Sequence, residues 1–174
     1  MKFLPRARQI ALAGALLTAL GVAGCANASP GVAAYIGDEQ ITQQQLDDVS
    51  KQVDAALKRE TPVGAVLQAM IQGELVAQVA RSQNIAITDA DRDAVVASSD
   101  FGTLASTPGG KSLAYDLADI SIVQTKMAPE ALKAELTKRT VTLNPRYGVF
   151  DQATTQIVGG RSGSLSTAPP AAAQ

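Results

Sequence analysis

The stretch Thr61-Pro62-Val63-Gly64-Ala65-Val66-Leu67-Gln68-Ala69-Met70-Ile71-Gln72-Gly73-Glu74-Leu75-Val76-Ala77-Gln78-Val79-Ala80 decides the fold. A threonine followed by proline has the form of a helix start, with a cap residue and then the residue best suited to the first helical position. Val63, Val66, Leu67, Met70, Ile71, Leu75, Val79 and Ala80 then recur at helical spacing and fill one broad face. The spacing predicts a helix running to about Gln83. It is the longest and most apolar element after residue 24, and other helices must pack against a face this wide.

Working back from it, Leu46, Val49, Val53 and Leu57 repeat at the same period behind Thr42-Gln43-Gln44-Gln45, which has the form of a capping box. A helix over about 43–58 is expected. Val32 to Ile36 is a brief apolar run closed by Gly37-Asp38, read as a short strand and a turn. Working forward, Asn84 interrupts the long helix. Thr88 with Asp91 three residues later caps a short third helix to about Ala97. Ser98 to Gly110 is rich in Ser, Thr, Gly and Pro and reads as a loop. Leu113, Leu117, Ile120, Val123 and Met127 mark a fourth helix over 112–127, and Pro129 opens a fifth to about Arg139. Thr140 to Leu143 alternates with period two, Asn144-Pro145 interrupts it, and Tyr147, Val149 and Phe150 extend it. The fold class expected is therefore mainly α, about five helices with short N- and C-terminal strands. A lone strand is unstable in water, so the first and last strands are predicted to pair. Residues 152–174, dominated by Gly, Ser, Thr, Pro and Ala from Gly159 onward, are expected to be a disordered tail.

The N-terminus has a different character. Lys2, Arg6 and Arg8 precede the uncharged apolar run Ile10 to Ala23, too short to cross a bilayer comfortably but suited to a secretory signal. Val22-Ala23-Gly24-Cys25 resembles the lipobox of bacterial lipoprotein precursors. That resemblance implies a signal peptide over 1–24, cleavage before Cys25, diacylglyceryl on its thiol, and export to the outer side of a membrane in the cell envelope. Residues 25–31, small and polar with Pro30, read as the lipidated tether. Cys25 is the only cysteine, so no internal disulfide is available. Without the three cations of the signal, the formal net charge moves from −1 to −4. An acidic domain has no electrostatic footprint for nucleic acid. Aromatics are few after residue 24: Tyr35, Phe101, Tyr115, Tyr147 and Phe150. The core must be built from Ala, Val, Leu and Ile.

The sequence contains no histidine. Ser-His-Asp and Cys-His catalysis and histidine metal sites are therefore excluded. With the one thiol assigned to lipid and no compact pair of acids in an apolar setting, neither an enzyme nor a cofactor is expected. Asp89-Ala90-Asp91-Arg92-Asp93 has the opening of a calcium loop, and Asp100 stands at its twelfth position. Ala94, however, stands where the sharp turn needs glycine, and acids in a first helical turn answer the helix dipole. Gly110-Lys111-Ser112 has the end of a phosphate loop without its first glycine or its preceding strand, and reads as loop punctuation before a helix.

The segment Ala33-Ala34-Tyr35-Ile36-Gly37-Asp38-Glu39-Gln40-Ile41-Thr42 resembles the start of SurA-type periplasmic chaperones. Asn84 to Asp91 is similar to the approach to that family's third helix. Val141 to Gly148 resembles the closing strand of exported lipoproteins with a SurA-like N-terminal domain. Together these span residues 32–151. The resemblance implies a helical domain, SurA N-terminal-like, that binds unfolded or extended polypeptide clients in an apolar groove. Chaperones of this type also carry parvulin domains that use histidine, so isomerase activity is not implied. Val66, Met70, Leu113, Leu117 and Ile120 are the candidate peptide-binding residues, by burial of apolar surface at roughly 25 cal/mol per Å². Two other readings stand beside the chaperone: a scaffold lipoprotein that binds one envelope protein through a small patch, and a carrier of a small apolar ligand in an enclosed cavity.

Overall fold

A computed structural model describes residues 29–159 of the chain. The expected signal peptide over 1–24, the expected lipidation site at Cys25 and residues 160–174 lie outside the described residues. Five α-helices carry the fold: α1 (Gln43–Leu57), α2 (Val63–Ser82), α3 (Asp89–Ala97), α4 (Pro108–Lys126) and α5 (Pro129–Leu136). β1 (Val32–Ile36) and β2 (Glu39–Thr42) form an antiparallel hairpin ahead of them, and β3 (Val141–Leu143) closes back onto β1. The strand order is β2-β1-β3, so the chain's two ends meet on β1 and tie the helices together. Asn144 completes the seam, its N–H donating to the Ala33 carbonyl at 2.9 Å and its side-chain amide to the Val32 carbonyl at 3.0 Å. The fold is mainly α, and the expected pairing of first and last strands is present.

The helix ends follow the chemistry of their residues. Thr42 Oγ1 accepts from Gln45 N–H at 3.1 Å. At α3 the capping box is reciprocal: Thr88 Oγ1 accepts from Asp91 N–H, and Asp91 Oδ2 accepts from Thr88 N–H at 2.9 Å. Lys58 and Asn84 end α1 and α2 with φ of +53°, which lets the chain reverse. Thr61 does not cap α2. Its N–H donates to Asp54 Oδ1 at 2.7 Å, and Pro62 takes the cap position without a side-chain bond.

Three further expectations give way. The turn at Gly37-Asp38 opens a second strand, β2, rather than leading directly to a helix. Ser98 to Gly110 is not an open loop: Asp100–Ser106 forms a 3-10 helix, and α4 begins at Pro108 behind a Thr107 cap. Gly110-Lys111-Ser112 thus lies in the first turns of a helix, not ahead of one. The expected tail does not hold over 152–159, because β4 (Val149–Asp151) pairs with β5 (Gln156–Val158) in a separate hairpin, and the rest of that expectation, 160–174, lies outside the described residues. Gln68 fastens that hairpin to α2, donating to the Thr155 carbonyl at 2.8 Å and accepting from Ile157 N–H at 2.6 Å.

The core lies where α2 crosses α1 and α4 and meets the sheet. Leu46, Val53, Leu67, Ile71, Leu75 and Ile36 are fully buried there. A smaller cluster of Val76, Val79, Val123 and Leu132 joins α2 and α4 to α5. At the α2–α4 crossing, a methyl group on Gly73 would overlap the Asp116 side chain. Glycine is what lets these helices approach.

Candidate functional site

The five candidate peptide-binding residues do not form an open groove. Val66, Met70 and Leu113 are buried core, while Leu117 and Ile120 are partly buried against the two clusters. The physical reason is that a chain this poor in aromatics needs most of its aliphatic face for its own core. Large apolar side chains left exposed among the described residues are Val63 at 40%, Val149 at 68% and Val158 at 44%. The last two face each other across the β4–β5 hairpin.

Two of the five, Met70 and Leu113, reach the edge of a cleft of about 200 Å³ between the β1–β2 hairpin and helices α1, α2 and α4. The hairpin supplies Ile36 and Ile41 from one side, with Glu39 and Gln40 on the rim. Helix α1 adds Val49, one turn on from Gln45 at the mouth. Helix α2 presents Met70 and Glu74, four residues apart and so on one face. Helix α4 presents Leu113 and Asp116 at the matching three-residue spacing.

Asp116 is the unusual member. It is more than half buried and accepts no hydrogen bond from the described residues. Burial, with Asp119 and Glu74 nearby, pushes its pKa up to about 7, against a smaller opposing pull from Arg92. Glu74 is better provided for: its Oε1 accepts from Arg81 Nη2 at 2.8 Å and from Gln78 Nε2 at 3.1 Å. Gln78 also donates to the Ile36 carbonyl at 2.9 Å, which fixes α2 to β1.

One turn beyond Asp116, the acids are fully used by structure. Arg92 donates Nε and Nη2 to the two oxygens of Asp119 at 2.7 and 2.9 Å, and Nη1 to Asp89 at 2.8 Å. The hydrogen bonds to Asp119 raise the Arg92 pKa. Tyr115 Oη donates to Asp93 at 2.6 Å. The Asp89-Ala90-Asp91-Arg92-Asp93 run therefore caps α3 and pins it to α4. Among the described residues, no three Asp, Glu, His or Cys side chains are grouped as a metal ion would need.

By length and composition alone, helix α2 is long and apolar enough to cross a membrane. Its burial against α1, α4 and the sheet, and the bonds of Gln68 and Gln78, make it the central helix of the domain.

Comparison with protein-family models, with curated proteins and with solved structures found no match to this chain. The candidate site therefore rests on its geometry. Asp116 and Glu74 escaped sequence reasoning because they lie 42 residues apart in different helices. The one local signal was an acid at a position flanked by the apolar period of α4.

Proposed function

We propose that this chain is a lipid-anchored, extracytoplasmic protein-binding module with no enzymatic activity, which engages one extended segment of a dedicated partner. The observation that carries this reading is the cleft beside β2. A cavity of 150 Å³ holds a benzene-sized group, and drug-sized ligands occupy about 300–1,000 Å³. At about 200 Å³, the cleft suits a single side chain. β2 is an edge strand, so its outer backbone groups are free to pair with an extended segment whose side chain enters the cleft.

This favours the scaffold reading over the two others. A general chaperone needs broad adaptable apolar surface, which α2 and α4 have committed to the core. A carrier needs an enclosed apolar cavity, whereas this cleft is open and its rim is polar. The anchor remains the lipid on Cys25, joined to the domain by residues 25–31.

The test uses the full chain in a bacterium that processes lipoproteins. A photo-crosslinking residue is placed at Gln45 on the cleft mouth, or at the exposed Lys133 on α5 as a control. The expected result is one discrete adduct, from Gln45 only, in the membrane fraction, with Cys25→Ala moving the protein to the soluble fraction. A ladder of many adducts from Gln45 would favour a chaperone. No adduct from either position would sink the binding reading.

A further inference from the structure

The β4–β5 hairpin has two unlike faces. Phe150 and Ile157, a cross-strand pair, pack against the main core cluster, so the pairs on either side of them turn outward. Val149 and Val158 are the outward pair at the open end, 68% and 44% exposed. Asp151 and Gln156 are the outward pair beside the turn, where Asp151 accepts from Ala153 N–H and Thr154 Oγ1. The outward face is therefore apolar at one end and polar at the other.

The apolar end lies where the tether enters the domain. Asn144 bonds to the Val32 and Ala33 carbonyls. Arg146 Nη1 donates to Gln43 Oε1 at 2.6 Å, and Gln43 N–H donates to the Gly31 carbonyl at 2.9 Å. Tyr147 N–H donates back to the Asn144 carbonyl, closing a turn that keeps the two residues within about 7 Å. Two further residues place Val149 within about 14 Å of Asn144. On the tether side, Val32 N–H donates to the Ser29 carbonyl at 2.8 Å, so Ser29–Val32 is itself a turn. Only Cys25 to Ser29 is left to span from a lipid on Cys25, about 14 Å at full extension. A domain of this length is about 36 Å across. So short a link keeps the end that carries Val32 at the bilayer.

We propose, on the reading that Cys25 carries lipid, that the open end of the β4–β5 hairpin lies in the headgroup region of a phospholipid membrane. Val149 and Val158 enter it, and Arg146 beside them meets lipid phosphate. Arg146 is exposed and uses one N–H on Gln43, which leaves further donors of its guanidinium for a phosphate oxygen. Interfacial binding grows with the apolar area buried and with attraction to anionic lipid, and this end of the domain offers both. The patch is too small to hold a free protein. Once lipid keeps the domain at the surface, however, the second contact is intramolecular, and a small patch suffices to set orientation.

The test uses the full chain, processed in a bacterium, in vesicles of phosphatidylethanolamine and phosphatidylglycerol. Part of the lipid carries a nitroxide quencher just below the headgroup. A thiol-reactive dye is attached at Gln156→Cys on the outward hairpin face, or at Ala94→Cys on α3, which packs on α4. Quenching at Gln156→Cys is expected to be at least threefold that at Ala94→Cys. Val149→Asp or Val158→Asp should bring it down to the Ala94→Cys level, and Arg146→Gln should halve it, with folding checked by thermal melts. Equal quenching at both dye positions, or quenching that none of the three substitutions moves, would overturn the membrane contact and leave the anchor standing. A hairpin dye shielded from a water-soluble quencher but not reached by the lipid quencher would mean that protein covers the patch, which also overturns it. If the unsubstituted chain takes up dye at Cys25 and does not float with the vesicles, the anchor falls and the contact with it.

Discussion

Asp116 and Gly73 meet where α2 crosses α4, and each explains the other. The missing Cβ at Gly73 lets the Asp116 side chain sit against the α2 backbone, and that close approach removes water from the carboxyl. Its folded pKa of about 7 stands above the unfolded value of about 3.9. Between those limits the folded state holds a proton that the unfolded state gives up. The stability this group contributes is therefore complete below about pH 4 and lost as pH rises through 7. The charges that act on it are Asp119 from α4, Glu74 from α2 and, opposing them, Arg92 from α3. Asp116→Asn removes the ionisation and should stabilise the protein more at pH 8 than at pH 5, by about 1–2 kcal/mol after allowing for partial exposure. Urea unfolding at the two pH values measures this. An equal gain at both would mean that the carboxyl ionises at its ordinary pH.

At the scale of elements, local sequence was readable wherever one helical face or one cap sufficed. The extents of α1, α2 and α3 follow from apolar spacing, and the Thr42 and Thr88 caps follow from side-chain reach. The start of α4 did not read as helix, because Gly109-Gly110 resembles a loop. Both glycines are buried in the first turn, and at Gly110 a Cβ would overlap the Leu104 carbonyl. Their role is close approach, which composition does not display. The β4–β5 hairpin was hidden for a related reason: Gln156–Val158 is a short strand that stays in place through its partner and through Gln68. A chain ending at Asp151 loses the Gln68 bonds to Thr155 and Ile157 and those from Gln152 to the Leu136 and Arg139 carbonyls, together with the burial of Ile157. It should be less stable than a chain ending at Gly159 by about 2–4 kcal/mol, read from the urea midpoint. Equal stability would show that β5 adds nothing to the domain.

For the whole molecule, the deciding quantity is how much apolar surface remains after folding. The broad face of α2 looked large enough to serve both a core and a client, but the crossing of α1, α2 and α4 covers Val66, Met70 and Leu113. Among the described residues the large apolar side chains left exposed are the Val149–Val158 pair and Val63, less than promiscuous capture of unfolded chains requires. A tenfold molar excess of the full chain should therefore fail to suppress aggregation of two unrelated unfolded proteins, followed by light scattering. Suppression of both would restore the general-chaperone reading. The mainly helical fold, most of the helix extents and the meeting of the terminal strands were determined by sequence alone, because caps and apolar periodicity act over a few residues and a lone strand must find a partner. The absence of histidine restricted the chemistry in the same direct way. Which faces turn inward, and the cleft that sets Asp116 beside Glu74, were decided only by the tertiary structure. Burial and the pKa of a carboxyl depend on neighbours brought from distant parts of the chain, and no local pattern records that distance in space.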